Sequence, residues 1–357
     1  MTQDNRPLRL VLLTQGDPGR LTGGYLYQQR MAAGAALHDA RLQVVPVGER
    51  ILPLQALAVG RVLAGVHADA LLVDSIVAAA AGRAVASARP RIPVIAVVHQ
   101  QPGGVDASIP LRALRRSLDL ALYRRAGRVI AVSDWLRDKL VREGVSQERI
   151  VVVPPGREPP GRFLAPAPDL RRGRRAALIC VSNWVRNKRI DLALDAVARL
   201  PPVMATLHLV GDENADRRYA AQLRRRIGRD DLRDRVVVHG RLPPQEVAGL
   251  LAGADLLVHP SRHESYGQAV AEGMTAGVPV VAFAIDNLPY LVRDGLDGKL
   301  VAFGDVSAMA SAIAELILDG DRRETMRANA RSRAAGFPTW ADSADRFFAA
   351  IRSAEPG

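Results

Sequence analysis

The chain has 357 residues and a formal net charge of +12; 48% of its residues are hydrophobic, 24% are charged and 4% are aromatic. This length exceeds what one hydrophobic core usually supports, so we expect two domains with cores built from Ala, Val and Leu. The composition excludes a disordered tail, a collagen-like chain and a coiled coil, and every apolar stretch falls short of the ~18 uninterrupted residues that a membrane span needs.

The first 160 residues alternate short apolar runs with helix-like stretches. Near-continuous apolar strands separated by helical segments are typical of a parallel sheet that is covered on both faces. A glycine-rich loop at residues 16–24 leads into a predicted helix over Tyr25–His38, and Ser133 is predicted to cap the N-terminus of a later helix. The predicted strands are Leu8–Thr14, Leu42–Val47, Ala70–Asp74, Val94–His99, Arg128–Val132 and Ile150–Val153.

A break in this pattern follows, because residues 154–175 hold six prolines, three glycines and a basic cluster. We expect a linker at residues 161–175, between an N-terminal domain at residues 1–160 and a C-terminal domain at residues 176–337. The alternation then restarts, with predicted strands Ala177–Ser182, Leu207–Gly211, Val236–Gly240, Asp255–Pro260 and Val278–Phe283 and predicted helices Ile190–Leu200, Arg217–Ile227, Pro244–Ala252, Gln268–Ala276, Ser307–Leu318 and Trp340–Ser353. The pattern predicts an α/β protein of two doubly wound domains facing across a cleft, with ligands outside the carboxyl ends of the strands.

One segment, from His259 to Val281, carries a pattern that points to phosphate and ribose binding. It is predicted to run from a strand through a loop, a helix and a glycine into the next strand. Gly267 would let the chain approach a ligand at the helix start, where unpaired N–H groups and the helix dipole hold phosphate. Glu264 lies in the loop, and Glu272, about two turns further along, could accept hydrogen bonds from ribose hydroxyls. The eight-residue spacing of the two glutamates is weak evidence by itself, but within this strand–loop–helix segment it is specific.

With this segment the sequence resembles the retaining glycosyltransferases of family 4 (glycosyl transferases group 1), which have the GT-B fold, over nearly the whole chain. The resemblance implies two Rossmann-like domains and transfer of a sugar from a nucleotide diphosphate sugar to an acceptor hydroxyl, with UDP-sugars favoured on family frequency alone. It implies that Glu264 binds donor-sugar hydroxyls near the reacting carbon and that Glu272 binds the ribose. It also implies that residues 338–357 form a helix that crosses back to the first domain. We expect no metal and no other cofactor, because the one Asp-x-Asp triplet, Asp319-Gly320-Asp321, lies far along the chain from the Glu264–Glu272 segment.

A second match to the family, over Val181–Asp191, implies residues that hold the donor diphosphate. The family has an arginine and a lysine that stabilise the leaving group, and Lys188 fits the lysine. Asn183 stands where the arginine is expected, so one positive charge is missing, and Arg186 or Arg189 are the candidates to replace it. A further departure is the turn Asp286–Pro289, where many members have Gly-Gly-x-Pro.

Softer matches complete the implied site. His99, at the end of a strand, is implied to lie near the reacting sugar with a catalytic role, and a buried structural histidine is the alternative. The remaining residues with an implied donor-binding role are Gly24, Gly211, Arg241, Leu242, Ser265, Tyr266, Gly267 and Gln268. The residues expected to contact the acceptor are Gly23, Asp74 and Ser75.

The positive charge is concentrated in residues 1–160, which carry +8 of the total. The stretch Leu111–Arg128 contains a predicted basic amphipathic helix, whose leucine stripe is Leu111, Leu114, Leu118 and Leu122. Membrane-surface members of the family dock on anionic lipid through such a helix, so peripheral contact with the inner membrane surface is one interpretation and a core-facing stripe with solvated arginines is the other. No zinc finger, helix-turn-helix pattern or aromatic-basic ladder appears, so we expect no nucleic acid partner.

Two alternative functions remain open from the sequence. One is another enzyme of the same fold, a nucleotide-sugar epimerase or a phosphorylase. The other is a non-catalytic basic protein that binds lipid or nucleic acid, which the departures at Asn183 and Asp286 keep open. The single cysteine, Cys180, excludes an intramolecular disulfide and a cysteine-ligated zinc site and favours a cytoplasmic location.

Overall fold

A computed structural model describes residues 6–16, 23–48, 52–65, 67–88, 92–105, 109–158 and 169–354. The chain forms two compact units: unit 1 is Met1–Gly156 together with Pro338–Gly357, and unit 2 is Arg157–Phe337. Residues 17–22 of the predicted glycine-rich loop and residues 161–168 of the predicted linker lie outside the described residues. Within the described ranges, no helix has the length and apolar character that a membrane crossing requires.

Unit 1 is built on six parallel strands in the order β2-β1-β3-β4-β5-β6. The strands are β1 (Leu8–Gln15), β2 (Ala40–Val47), β3 (Ala70–Asp74), β4 (Val94–Val98), β5 (Arg128–Ala131) and β6 (Ile150–Val152). The helices between them are α1 (Gly23–Gly34), α2 (Leu52–Gly65), α3 (Ala78–Ala88), α4 (Ile109–Tyr123) and α5 (Asp134–Arg142). As predicted, Ser133 caps α5, its Oγ accepting the Leu136 N–H at 3.2 Å.

Unit 2 repeats the architecture with a parallel sheet in the order β12-β11-β10-β7-β8-β9. The strands are β7 (Ala176–Val181), β8 (Ala205–Val210), β9 (Val236–Gly240), β10 (Leu256–His259), β11 (Val280–Phe283) and β12 (Gly298–Val301). The helices are α6 (Ile190–Ala198), α7 (Arg217–Ile227), α8 (Pro244–Gly253), α9 (Gln268–Thr275), α10 (Leu288–Leu291), α11 (Val306–Leu318) and α12 (Gly320–Ala335).

Both faces of the unit 2 sheet are buried, which explains the continuous apolar runs. Along β7, Leu178 and Cys180 join one hydrophobic cluster, while Ala177 and Ile179 join another. Successive side chains of a strand point to opposite faces. The alternation between clusters therefore shows that each face of the sheet has its own core. Burial raises the pKa of Cys180 to about 12, so its thiol is unreactive.

The last helix of the chain, α13 (Trp340–Arg352), belongs to unit 1. Phe347 and Phe348 are buried in the same cluster as Tyr27 of α1 and Leu72 of β3. A capping box at Thr339 begins the helix: the Thr339 Oγ1 accepts the Asp342 N–H and the Asp342 carboxylate accepts the Thr339 N–H.

The sequence located every predicted strand to within two residues at each end, and the fold class is confirmed. The predicted helix over Tyr25–His38 divides into α1 and a 3-10 turn at Ala35–His38. The elements that the sequence did not predict are α2, α3, α10, α12 and β12.

Candidate active site

Two neighbouring strands at the centre of the unit 2 sheet lead to Lys188 and Glu264. β7 pairs directly with β10, although β8 and β9 lie between them in sequence. The strand order therefore reverses between β7 and β10, and in open α/β sheets ligands bind outside the carboxyl ends of the strands at such a reversal. Lys188 comes after β7 and Glu264 after β10. The topology thus brings together two residues that the sequence linked to different motifs.

Glu264 and Lys188 form an ion pair at this reversal of the strand order. The Lys188 Nζ lies 2.7 Å from the Glu264 Oε2, and the side chains are 26% and 14% exposed. Burial alone would raise the pKa of Glu264, but the Lys188 ammonium and a hydrogen bond from His259 hold it well below its ordinary value. Glu264 is therefore an ionised carboxylate that can only accept hydrogen bonds.

His259, the last residue of β10, is the second partner of Glu264. Its Nε2 lies 3.0 Å from the Glu264 Oε2, and its side chain is 1% exposed. Because the ionised carboxylate only accepts, the Nε2 carries the proton and donates. The Nδ1 is buried with no hydrogen-bond partner in the part of the chain that the structure describes. No motif in the sequence assigned His259 a role, although a histidine at the carboxyl end of a central strand is a usable signal.

Gly267 ends the loop and begins α9, as the sequence predicted. Its φ of +102° lies in the left-handed region, and an added Cβ would come within 3.1 Å of Leu291 and Leu288 side-chain atoms. Glu272 lies on α9 and accepts a hydrogen bond from the Gln268 Nε2 at 3.0 Å. Burial raises the pKa of Glu272. Glu264 precedes α9 and Glu272 lies on it, as the predicted strand–loop–helix arrangement requires.

Asn183 is used as a hydrogen-bond acceptor. Its Oδ1 accepts the Asp212 N–H at 2.9 Å, which ties the segment after β7 to the segment after β8. Beside it, Gly211 has a φ of +141°, and a Cβ there would lie 2.1 Å from the Ser182 carbonyl oxygen. The two segments are therefore in close backbone contact, and only glycine fits at position 211.

The two candidate replacement arginines differ in how firmly they are held. The Arg189 guanidinium binds both carboxylate oxygens of Asp191, at 2.8 to 3.2 Å. The Arg186 Nε lies 3.6 Å from the Asp216 carboxylate, and its side chain is 61% exposed. Arg186 is thus the more available cation beside Lys188.

The other predicted donor-binding residues of unit 2 lie around the same end of the sheet. The Gly240 carbonyl, at the end of β9, accepts the Gly211 N–H at 2.8 Å; Arg241 after it is exposed and Leu242 is half-buried. Ser265 and Tyr266 stand between Glu264 and Gly267, and burial raises the pKa of the Tyr266 hydroxyl. Within the described ranges, no group of three His, Cys, Asp or Glu side chains is arranged as metal ligands.

The predicted residues of unit 1 also gather at the carboxyl ends of strands. His99 follows β4, and its ring packs edge-on against Tyr27 with the ring centres 5.0 Å apart. Burial lowers the pKa of His99, so the ring is neutral, and its Nε2 is buried with no partner among the described residues. Gly23 and Gly24 begin α1, and an added Cβ at Gly24 would lie 3.8 Å from the His99 ring.

The predicted acceptor contact at Asp74 does not fit its placement. Asp74 is fully buried at the end of β3, and its carboxylate accepts hydrogen bonds from Thr14, Gln28, Ser75 and the Ile76 N–H. A carboxylate with four donors and no exposed surface stabilises the end of the sheet. Ser75, 5% exposed, donates to it and accepts the His99 N–H at 3.1 Å. Both residues therefore hold the His99 backbone in place.

The chain has a GT-B architecture, because it forms two units that each contain a parallel sheet with a strand-order reversal. Similar structures support it: sucrose-phosphate synthase from Thermosynechococcus elongatus has a TM-score of 0.80 at 20% identity, with 97% of this chain and 98% of that chain covered. Anabaena HepE in complex with UDP and glucose has a TM-score of 0.79 at 22% identity, with 97% and 100% covered.

Sequence comparisons identify the family. The description "Glycosyltransferase Family 4" matches residues 4–159, and "Glycosyl transferases group 1" matches residues 166–333. The chain is 31% identical to D-inositol 3-phosphate glycosyltransferase 1 of Catenulispora acidiphila, over 71% of this chain and 63% of that protein. It is 30% identical to D-inositol 3-phosphate glycosyltransferase of Mycobacterium tuberculosis, over 74% and 57%. The chain thus spans less than two thirds of these relatives. It belongs to the family-4 glycosyltransferases, glycosyl transferases group 1.

Proposed function

We propose that the protein is a retaining glycosyltransferase that moves a sugar from a nucleotide diphosphate sugar to an acceptor hydroxyl. The observation that carries the proposal is the Lys188–Glu264 ion pair at the strand-order reversal of unit 2, next to the start of α9. Family membership supports the reaction class. A cytoplasmic location and independence from metals and cofactors remain part of the proposal.

The charges of the site suit a donor with a diphosphate next to a sugar. The Lys188 ammonium and the N–H groups at the start of α9 would stabilise the negative charge that develops on the departing phosphate. The ionised Glu264 would accept hydrogen bonds from sugar hydroxyls, and Glu272 from the ribose. His259 would keep Glu264 oriented when Lys188 turns to the diphosphate.

The proposed transfer step needs only the donor and the acceptor as reactants. The bond between the anomeric carbon and the phosphate oxygen breaks with its electron pair on the phosphate. The acceptor oxygen bonds to the same face of that carbon, and its proton moves to the departing phosphate. The positive charge that builds up on the sugar ring in such an oxocarbenium-like transition state would be stabilised by the nearby Glu264 carboxylate.

We propose a UDP-sugar as donor, which agrees with the UDP bound in the structure of HepE. A thermal-shift screen of UDP-, GDP-, ADP- and dTDP-sugars tests this, since a ligand at 100 times its Kd adds ~2.7 kcal/mol of stability. A larger shift with another nucleotide would contradict the UDP preference.

The acceptor is proposed to be an anionic or membrane-borne molecule, on the basic charge of the first half. On α4, Leu111 is 38% and Leu114 53% exposed, whereas Leu122 is buried, so the predicted stripe divides between surface and core. Arg116 pairs with Glu143, which reduces the free charge of this surface.

Vesicle sedimentation tests the membrane contact. With Leu111 and Leu114 both replaced by Gln, we expect reduced binding to phosphatidylglycerol vesicles but not to phosphatidylcholine vesicles. The control is Leu37→Gln, since Leu37 is 88% exposed elsewhere on unit 1. Equal binding by all three proteins would contradict the contact through α4.

Activity assays test the enzyme itself. We expect Lys188→Ala and Glu272→Ala to lower UDP release from UDP-glucose more than tenfold, since a charge-assisted hydrogen bond contributes ~1.5–3 kcal/mol. The matched control is Lys299→Ala: Lys299 is 23% exposed and lies 3.6 Å from Glu315, outside the site. Activity within about threefold of the wild type in both site variants would contradict the proposal.

Product analysis distinguishes the alternatives. A transferase needs the acceptor and gives an α-linked product from an α-linked donor, which proton NMR of the anomeric position detects. An epimerase would interconvert sugars without an acceptor. A non-catalytic polyanion-binding protein would show salt-dependent binding and no stabilisation by nucleotide sugars. Unchanged activity after EDTA treatment is expected of an enzyme that needs no metal.

A further inference from the structure

The turn after β11 differs from the glycine pair of the family and touches the Glu264 loop. Asp286 has a φ of +46°, in the left-handed region that favours glycine and that aspartate tolerates better than most residues. Asn287 follows it and is 3% exposed. The turn therefore keeps the backbone conformation for which glycine is suited, but adds two polar side chains.

These side chains bind the main chain around Glu264. The Asp286 Oδ2 accepts the Glu264 N–H at 3.0 Å, and the Asn287 N–H donates to the Glu264 carbonyl at 3.2 Å. The Asn287 Nδ2 donates to the Tyr266 carbonyl at 2.7 Å. The same Asp286 oxygen also lies 3.1 Å from the His263 Nδ1.

A Gly-Gly turn could supply only one of the three bonds to the main chain at positions 264 and 266. The bond from the Asn287 N–H needs no side chain. The acceptor for the Glu264 N–H and the donor to the Tyr266 carbonyl both come from side chains that glycine lacks. A partly buried N–H or C=O group left without a partner is costly, so these bonds fix the loop.

We propose that Asp286 and Asn287 are positioning residues that hold the Glu264 carboxylate for the donor sugar. This inference rests on the proposed function. Glu264 is then fixed from two sides: its main chain by the turn after β11, and its carboxylate by Lys188 and His259. We call the hydrogen bonds from Asp286 and Asn287 to the Glu264 loop the brace. A displacement of about 1 Å in a group such as Glu264 lowers catalysis strongly. The brace is therefore expected to affect how the donor sugar is held and not how tightly the nucleotide binds.

Hydrogen–deuterium exchange tests the brace without any ligand. In Asp286→Gly, which keeps the backbone conformation and removes the acceptor, we expect an amide in residues 263–267 to exchange at least tenfold faster. Asp286→Asn keeps an acceptor oxygen and should exchange like the wild type. The control is Asp234→Gly, an exposed aspartate with a φ of +59° elsewhere in unit 2. Unchanged exchange at 263–267 in Asp286→Gly, or equally faster exchange throughout unit 2, would overturn the brace.

Calorimetry tests its consequence with UDP and UDP-glucose as probes. In Asp286→Gly we expect the affinity for UDP-glucose to fall about tenfold relative to that for UDP, with UDP affinity unchanged. Asp286→Asn should restore the wild-type ratio. An equal loss for both ligands would overturn the role toward the sugar. A wild-type protein that binds neither ligand would contradict the proposed UDP donor, and the exchange experiment would still decide the brace.

Discussion

Removing Lys188 should destabilise the protein more than removing the charge of Glu264, although both changes break one ion pair. In Lys188→Met the carboxylate stays behind, only 14% exposed, with His259 as its remaining partner in the described ion pair network. Removing one partner of a fully buried pair costs ~3–5 kcal/mol, so we expect ~2–3 kcal/mol for this partly exposed pair. In Glu264→Gln an acceptor for His259 remains and the Lys188 ammonium can turn to water, which should cost ~1 kcal/mol.

The pH dependence of this difference has a definite sign. The pKa of Glu264 is lowered in the folded protein, so its stabilisation is complete above the ordinary glutamate pKa and is lost as the pH falls through the folded value. In Lys188→Met, burial without the ammonium raises the pKa of Glu264, so the variant recovers stability when the carboxyl takes up a proton. Both effects make the cost of Lys188→Met largest near neutral pH and smaller toward pH 4.

Urea unfolding measures these free energies. Trp184 is buried in unit 2, and Trp135 and Trp340 lie in unit 1, so replacing the latter two by Phe makes fluorescence report on unit 2. The control is Lys299→Met: its ammonium lies 3.6 Å from a Glu315 carboxylate that is 39% exposed, so we expect this pair to contribute at most ~1 kcal/mol. Equal costs for Lys188→Met and Glu264→Gln at pH 7.5, or a cost of Lys188→Met that grows toward pH 4, would refute the reasoning.

Three further predictions concern other predicted site residues. Arg186→Gln should weaken UDP binding about three- to tenfold by calorimetry, whereas Arg189→Gln should mainly lower the melting temperature, because its guanidinium already binds a carboxylate in its own turn. Gly211→Ala should cost at least ~3 kcal/mol in unfolding, because its Cβ would overlap the Ser182 carbonyl; a stable variant would contradict the close approach. Burial lowers the pKa of His99, so the wild type should lose stability below pH 6.5 with a slope of up to ~1.4 kcal/mol per pH unit. His99→Leu should flatten this slope, and an unchanged slope would show that the ring is solvated.

The sequence predicted the strands because they are buried on both faces and read as continuous apolar runs. Two of the helices it missed, α12 and α2, lack a helical stripe of large apolar residues. In α12 the buried residues are Met326, Ala330 and Ala334, a narrow line of mostly small residues in a charged segment. In α2 only Gln55 and Val59 are buried while Leu54 and Leu57 are exposed, so the apolar positions do not mark one buried face. Without a period, composition alone does not locate a helix.

The motifs located Glu264 and Lys188 but not the bond between them. That bond spans 76 residues and exists because β10 returns to the side of β7, which is a property of strand order. The role of Asn183 was missed for a similar reason, since its partner follows β8. The burial of Asp74 was missed because the sequence does not distinguish a strand-end aspartate that contacts a ligand from one that accepts hydrogen bonds from the protein itself.

The departures from the family pattern bear on whether the site still works. A site that has lost its function keeps no particular use for the residues that replaced the original ones. Here Asn183 bonds the Asp212 N–H, and Asp286 and Asn287 bond the loop that carries Glu264. Asn183 thus ties together the segments after β7 and β8, and Asp286 and Asn287 hold the loop that carries one partner of the ion pair. This arrangement favours an enzyme whose Glu264 loop is held by side chains over a binding protein that has lost catalysis.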